Sequence, residues 1–242
     1  PDSNMSLAGS VSRNVDKLDQ AFAECDVVKE YVQPWTNFWA HNELEAHQTT
    51  AWWVGDDLYF YTGSQDITST KSTVANALGM QLHKVHGITH FNCGGFGGKT
   101  SDDLAPQAAC MSRAVGGYPV LCKNTRQMNN LTRGHNFPTR SRIKFGVKKV
   151  GNNYKFHACD AEFYSDGGIN TGAPCGNVHF GLQTTWTIPY ASIKAYRIQT
   201  NTPTRGYWRC VNDPPGAMNY DAAIDKLCAD LGVDPYEFRY IN

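Results

Sequence analysis

The chain has 242 residues, 41% of them hydrophobic and 18% charged, which excludes wholesale disorder and allows one large domain or two small ones. Lys plus Arg and Asp plus Glu both number 22, and this zero net charge argues against nucleic acid or an anionic membrane as the main partner. No apolar run approaches the roughly 18 residues of a spanning helix, and the polar start Pro1-Asp2-Ser3-Asn4 has neither a signal-peptide pattern nor an initiator Met, as expected of a processed chain or a piece of a longer one.

Strand and helix periods alternate along the chain, which predicts α/β or α+β packing without a clear linker. Lys17 to Cys25 reads as a short helix with Leu18, Phe22 and Cys25 on one face. Thr49–Trp53 and Leu58–Thr62 read as a hairpin around Gly55-Asp56-Asp57. Thr70 to Leu78 reads as a helix stopped by Gly79, and Lys84 to Phe91 as a strand running into a glycine loop. Asp102 and Asp103 favour the start of a helix that ends at Gly116-Gly117. Tyr118–Cys122 is a short strand. Ile143–Lys149 and Tyr154–Tyr164 form the clearest hairpin, around Gly151-Asn152-Asn153, and Ile193–Thr200 is a further strand. Ala217 to Leu231 is the best helix, with Tyr220, Ile224, Leu227, Cys228 and Leu231 as its core stripe.

The eight cysteines include no Cys-x-x-Cys pair, and a chain of this size needs no disulfide staples, so reduced thiols in a cytoplasmic protein are expected. His83 and His86 lack further ligands at zinc-site spacing. Four segments carry candidate chemistry. Cys93-Gly94-Gly95-Phe96-Gly97-Gly98-Lys99 lets backbone N–H groups approach an anion or a phosphorylated cofactor. Its spacing fits neither the P-loop nor the dinucleotide fingerprint, so a plain structural turn is an equal reading. Gln65 stands at a strand end, where a solvated loop residue is the usual case. Arg205-Gly206-Tyr207-Trp208-Arg209-Cys210 interleaves arginines and aromatics, which suits an anion or a planar ligand as well as a surface loop. Glu45 and His47 read as a buried carboxylate–histidine pair.

Taken in order, these segments resemble the molybdenum-binding subunit of the xanthine dehydrogenase and aldehyde oxidase family. The likeness covers nearly the whole chain. It runs through Ala21-Phe22-Ala23-Glu24-Cys25-Asp26, His41-Asn42-Glu43-Leu44-Glu45-Ala46-His47, Tyr61-Thr62-Gly63-Ser64-Gln65, Gly94 to Lys99, Gly117-Tyr118-Pro119-Val120, Arg133-Gly134-His135, Trp208-Arg209 and Leu231-Gly232-Val233-Asp234-Pro235.

The resemblance implies a mixed-sheet α/β molybdopterin-binding domain over residues 1–242, the first such domain of a larger molybdenum subunit, as a fragment or a split subunit. It implies molybdopterin as cofactor, with no direct protein ligand to molybdenum. Gln65, Gly94, Gly95, Phe96, Gly97, Gly98 and Arg209 match the family's cofactor-contacting positions. Thr100, Asn177, Trp208, Cys210 and Val211 fall where a substrate pocket is expected. Thr100, Asn177 and Val211 stand where purine oxidisers carry glutamate, arginine and phenylalanine, which argues against xanthine as substrate. Cys210 stands where carbon monoxide dehydrogenases hold copper, though the residues around it differ and a plain loop cysteine is the better reading. The family's general-base glutamate is expected outside this chain, on the remaining half of the molybdenum subunit. Iron–sulfur ([2Fe–2S]) clusters and FAD are expected on partner chains or domains. The implied activity is hydroxylation of an aldehyde, an aromatic N-heterocycle or a related small molecule. A molybdenum–copper enzyme, a hydratase or a non-catalytic cofactor-binding module are the alternatives.

Overall fold

The computed structural model describes residues 4–36, 40–100, 104–132, 134–169, 176–211 and 213–242. Its contacts divide the chain into two units, the first drawn from residues 1–38, 136–205 and 210–242, the second from 39–135 and 206–209.

The first unit is built on a five-stranded sheet. In chain order its elements are β1 (Met5–Arg13), α1 (Leu18–Ala23) and β2 (Val27–Gln33), later joined by β7 (Thr139–Val150), β8 (Asn153–Gly168), α5 (Phe180–Thr185), β9 (Tyr190–Gln199), α6 (Asp213–Leu231) and α7 (Pro235–Ile241). The sheet order is β1-β9-β8-β7-β2, with β8 and β9 parallel and the other pairs antiparallel. The β7–β8 hairpin turns at Gly151, as its alternation predicts. Ser141, Ile143 and Phe145 face inward, while Arg140, Arg142 and Lys144 face outward. On the inward face Phe145, Phe163 and Ile193 pack with the α6 stripe of Tyr220, Ile224, Leu227 and Cys228. On the outward face Arg142 bonds Glu30, Asp160 and Glu162 across three strands. Strands β1 and β2 lie at the sheet edges with many exposed positions, and so lack the apolar alternation that marks β7 and β8.

The second unit contains β3 (Gln48–Val54), β4 (Asp57–Thr62), α2 (Ile67–Leu78), β5 (Val85–Ile88), α3 (Leu104–Ala114), β6 (Val120–Lys123) and α4 (Arg126–Thr132). Its sheet order is β5-β4-β3-β6, with only β4 and β5 parallel. Ala51, Leu58, Phe60 and Val85 on one face meet Val74 and Ala75 of α2 and Ala105, Ala108 and Ala109 of α3. The alanines bring α3 close to β3, and Trp53 Nε1 donates to the Ala109 carbonyl at 2.9 Å. Helix α2 starts where Asp66 accepts the Ser69 N–H and stops at Gly79, φ +64°.

The strand expected over 84–91 is shorter. Leu82–Lys84 forms a 3₁₀ turn and only Val85–Ile88 pairs with β4. Thr89 Oγ1 then donates to the Thr62 carbonyl at 2.7 Å, ending the ladder and leaving His90 and Phe91 exposed. Asp102 and Asp103, on which the helix start is expected, and Arg133 lie outside the described residues.

Candidate functional site

Parallel strands β4 and β5, joined by α2, release the chain at the same end of the sheet. Loops at the carboxyl ends of adjacent parallel strands are a favoured place for ligands. Gln65 follows β4 and the glycine loop follows β5, so topology brings these two candidates together.

The loop's backbone conformation explains its composition. Gly94, Phe96 and Gly97 have φ of +85°, +52° and +100°. Glycine adopts these angles freely, whereas Phe96 is strained there. Side chains would also collide with what surrounds the loop. A Cβ at Gly95 would overlap the Gln65 side chain, one at Gly97 the Tyr207 backbone, and one at Gly98 the Glu43 carboxylate and the His41 ring. The Gly98 N–H closes a turn on the Gly95 carbonyl at 2.7 Å. Thr100 Oγ1 donates to the Gly97 carbonyl at 3.0 Å, so that candidate pocket residue braces the loop.

Gln65 is bound to this loop at both its backbone and its side chain. Its N–H donates to the Lys99 carbonyl at 2.9 Å. Its Oε1 accepts the N–H groups of Gly97 at 2.9 Å and Lys99 at 3.2 Å. The amide is thereby oriented, and Nε2 is left as a donor with no acceptor among the described residues. The N–H groups of Gly95 and Phe96 likewise have no acceptor among the described residues. Phe96 is 41% exposed. The Arg209 guanidinium lies 5.8 Å from the Phe96 ring centre and 5.8 Å from that of Trp208, within reach of cation–π attraction. Gln65, the glycine loop, Trp208 and Arg209 thus gather in one unit, as a set of donors suited to oxygen ligands or an anionic group.

Beneath the loop the second unit holds a buried polar network. Lys99 is 1% exposed and its Nζ sits 2.8 Å from Glu45 Oε2. Burial pushes the Glu45 carboxyl up, but hydrogen bonds from Lys99 and Gln48 outweigh it and hold its pKa below the usual carboxylate range. The expected Glu45–His47 pair is therefore corrected: Glu45 pairs with Lys99. His47 instead bonds the Gly98 carbonyl and Asn129, and Asn129 bonds Glu43. Arg126 adds bonds to the Glu43 and Leu44 carbonyls. In the sequence Lys99 and Glu43 stand inside candidate motifs without a role of their own, and Arg126 and Asn129 carry no signal. The available signal was a lysine directly after four glycines, with two glutamates in the 41–47 segment to neutralise it.

Three expected pocket residues fall in the first unit. Asn177 is exposed in the turn before α5, and Cys210 and Val211 sit at φ +63° and +42°. Arg205, grouped by sequence with Arg209 as a ligand-binding pair, is spoken for. It is buried, and its guanidinium bonds Asp166 at 2.5 Å, which together with the Thr200 and Thr202 hydroxyls leaves Arg205 a structural role.

The donor set fits a large oxygen-rich cofactor. Unpartnered N–H groups on Gln65, Gly95 and Phe96 suit oxygen atoms, and the close-packed glycines leave no side chain in the way. Among the described residues no group of three or more His, Cys, Asp or Glu is placed to hold a metal ion, so a metal bound here would bring its own ligands. A mixed α/β unit with such a donor-lined loop defines a cofactor-binding domain whose protein contribution is backbone and amide hydrogen bonding.

The comparisons give that class its family. Residues 3–242 match the model of the molybdopterin cofactor-binding domain, and the chain belongs to that family. It is 30% identical over 238 residues to the aldehyde oxidoreductase molybdenum-binding subunit PaoC of Escherichia coli (strain K12), covering 95% of this chain and 31% of that one. It is 28% identical over 208 residues to the xanthine dehydrogenase/oxidase of Gallus gallus, covering 84% of this chain and 15% of the relative. In fold it is similar to the aldehyde oxidoreductase from Desulfovibrio gigas, with TM-score 0.82, 22% identity, and coverage of 100% of this chain and 27% of that one. The chain thus spans less than a third of the relatives it matches. The mixed α/β molybdopterin-binding fold expected from sequence is the fold found.

Proposed function

We propose that this chain is the cofactor-cradling part of the molybdenum subunit of an oxidoreductase that hydroxylates an aldehyde, an aromatic N-heterocycle or a related small molecule. The observation that carries this reading is the orientation of Gln65. Two backbone N–H groups hold its Oε1, so its Nε2 is presented as a preset donor near the N–H groups of Gly95 and Phe96, which have no acceptor among the described residues. Gln65, Gly94, Gly95, Phe96, Gly97 and Gly98 form the cradle, and Arg209 and Trp208 its rim. When bound, the molybdenum cofactor supplies a centre that accepts electrons from substrate while oxygen comes from water.

The residues of this chain bind and orient. Gln65 Nε2 would donate to an oxygen of the bound cofactor, and the glycine backbone would admit its pterin. Phe96, Trp208 and Arg209 restrict what approaches from the exposed side. The similarity to an aldehyde oxidoreductase subunit supports the substrate class, and Thr100 in place of a purine-binding glutamate supports a substrate other than xanthine. We place the general base, the [2Fe–2S] clusters and any FAD on the rest of the molybdenum subunit and on partner chains. Among the described residues no two cysteines form a disulfide, and no helix is long and apolar enough to cross a membrane; the unbridged thiols support a reducing, cytoplasmic setting.

Gln65→Ala tests the reading. Gln65 is exposed, so the variant should fold, with a modest loss of stability from the Gly97 and Lys99 N–H groups that lose their acceptor. In the native complex its turnover should fall roughly tenfold to a hundredfold, the worth of a lost hydrogen bond to a charged group. Undiminished turnover with full molybdenum content would overturn the assignment.

A further inference from the structure

Of the buried ionisable groups that cofactor binding leaves unused, His47 has the most constrained surroundings. Its ring, 2% exposed, precedes β3. Nε2 lies 2.8 Å from the Gly98 carbonyl oxygen, which can only accept. Nδ1 lies 2.7 Å from Asn129 Oδ1. The Asn129 amide is fixed by two further bonds, since its Oδ1 accepts the His47 backbone N–H at 3.1 Å and its Nδ2 donates to Glu43 Oε2 at 3.0 Å. Turning it over would set donor against donor at His47 and acceptor against acceptor at Glu43. Both ring nitrogens therefore face acceptors at hydrogen-bond length. A neutral imidazole has one N–H and would leave a lone pair pressed against an oxygen.

We infer that His47 is held as the doubly protonated imidazolium, and that it is a positioning residue: it clamps the Gly98–Lys99 peptide and through it the side chain of Gln65. The carbonyl of that peptide accepts a hydrogen bond from His47 Nε2, and its N–H, on the opposite side of the same planar unit, donates to Gln65 Oε1 at 3.2 Å. A planar trans peptide cannot turn at one end and stay at the other. Residue 98 has no side chain to hold the unit, and a Cβ there would overlap Glu43. Among the described residues, a carboxylate lies close to the ring. Glu43, fully buried, is the counter-charge one amide away, and Arg126 lies 3.5 Å from the same carboxylate. The Glu45–Lys99 pair on the adjoining segments is neutral as a pair. His41, beyond Gly98, is occupied by the Tyr207 carbonyl at 2.6 Å.

The inference concerns protons and backbone, and stands apart from the cofactor assignment. Neutron diffraction from crystals of the native protein at neutral pH tests the first half. Deuterium on both Nδ1 and Nε2 of His47 is expected, and one bare ring nitrogen would overturn it. Amide exchange tests the clamp. In the parent protein, protection of the Gly97 and Lys99 amides should fall about tenfold as the pH rises and the ring gives up one proton. In His47→Gln that pH dependence should vanish while the global melting behaviour persists. Retention of the same pH-dependent protection in His47→Gln would remove the positioning role. If that variant does not fold, the parent's own profile decides, and protection independent of pH would overturn the clamp.

Discussion

Lys99 is the residue whose environment departs furthest from its chemistry. An ammonium group that is 1% exposed is tolerated because Glu45 meets it and Gln48 donates to the same carboxylate. The pair also ties the end of the glycine loop to the segment before β3. Lys99→Met keeps most of the volume and removes the charge, leaving Glu45 Oε2 without its donor. Glu45 is partly exposed, so the expected cost is about 1–3 kcal/mol, between that of a solvated and a buried pair. The pH dependence carries the sign. The folded Glu45 pKa is lowered, so the pair's stabilisation is present above the ordinary carboxylate range and is lost as the pH falls through the folded value. Thermal denaturation across the acid range should show a shallower acid-side loss in Lys99→Met than in the parent. An unchanged slope would show that the pair does not contribute to folding.

At the scale of elements, the glycine loop is where sequence and structure correspond most directly. Four glycines in five positions announce a backbone approached on several sides, and the structure supplies Gln65, Tyr207, Glu43 and His41 as the neighbours. Gly97→Val combines φ +100° with a branched side chain directed at the Tyr207 carbonyl, a distortion worth at least about 2 kcal/mol. Molybdenum and pterin per chain, measured after native purification, should fall to near zero in this variant. Normal content would refute the cradle. The strands and helices with strong periodicity were equally legible. The β7–β8 hairpin and α6 follow their alternation and stripe because one face of each is buried. Strands β1 and β2 escaped because edge strands expose both faces in part, and α4 and α5 because helices of one or two turns with a single buried residue each set no period. Helix α7 carried a readable signal, Asp234 capping it before Pro235, that the chain-order reading passed over. The buried network of Lys99, Asn129 and Glu43 was illegible for a different reason. Its members lie as many as 86 residues apart, and no local pattern marks which polar side chains a fold will bury together.

For the whole molecule the question is whether this chain has what a hydroxylation needs. A general base must be a carboxylate free to take a proton beside the cradle. In the second unit Glu45 is bound by Lys99 and Gln48, and Asp66 caps α2. Asp57 pairs with His86 and Asp56 with Lys84 in and after the β3–β4 turn. Glu43 keeps one oxygen without a partner, but that carboxylate is fully buried and closed to solvent. Each described carboxylate of this unit thus already has a partner or is buried, and the chain spans 31% of the PaoC subunit it resembles. The expected result is that the 242-residue chain, purified alone and loaded with molybdenum cofactor, binds it and turns over neither aldehydes nor N-heterocycles. Activity should appear only with the rest of the molybdenum subunit and an iron–sulfur partner present. Turnover by the isolated, loaded chain with an artificial electron acceptor would place the base within it, and Glu43 would then be the first carboxylate to replace.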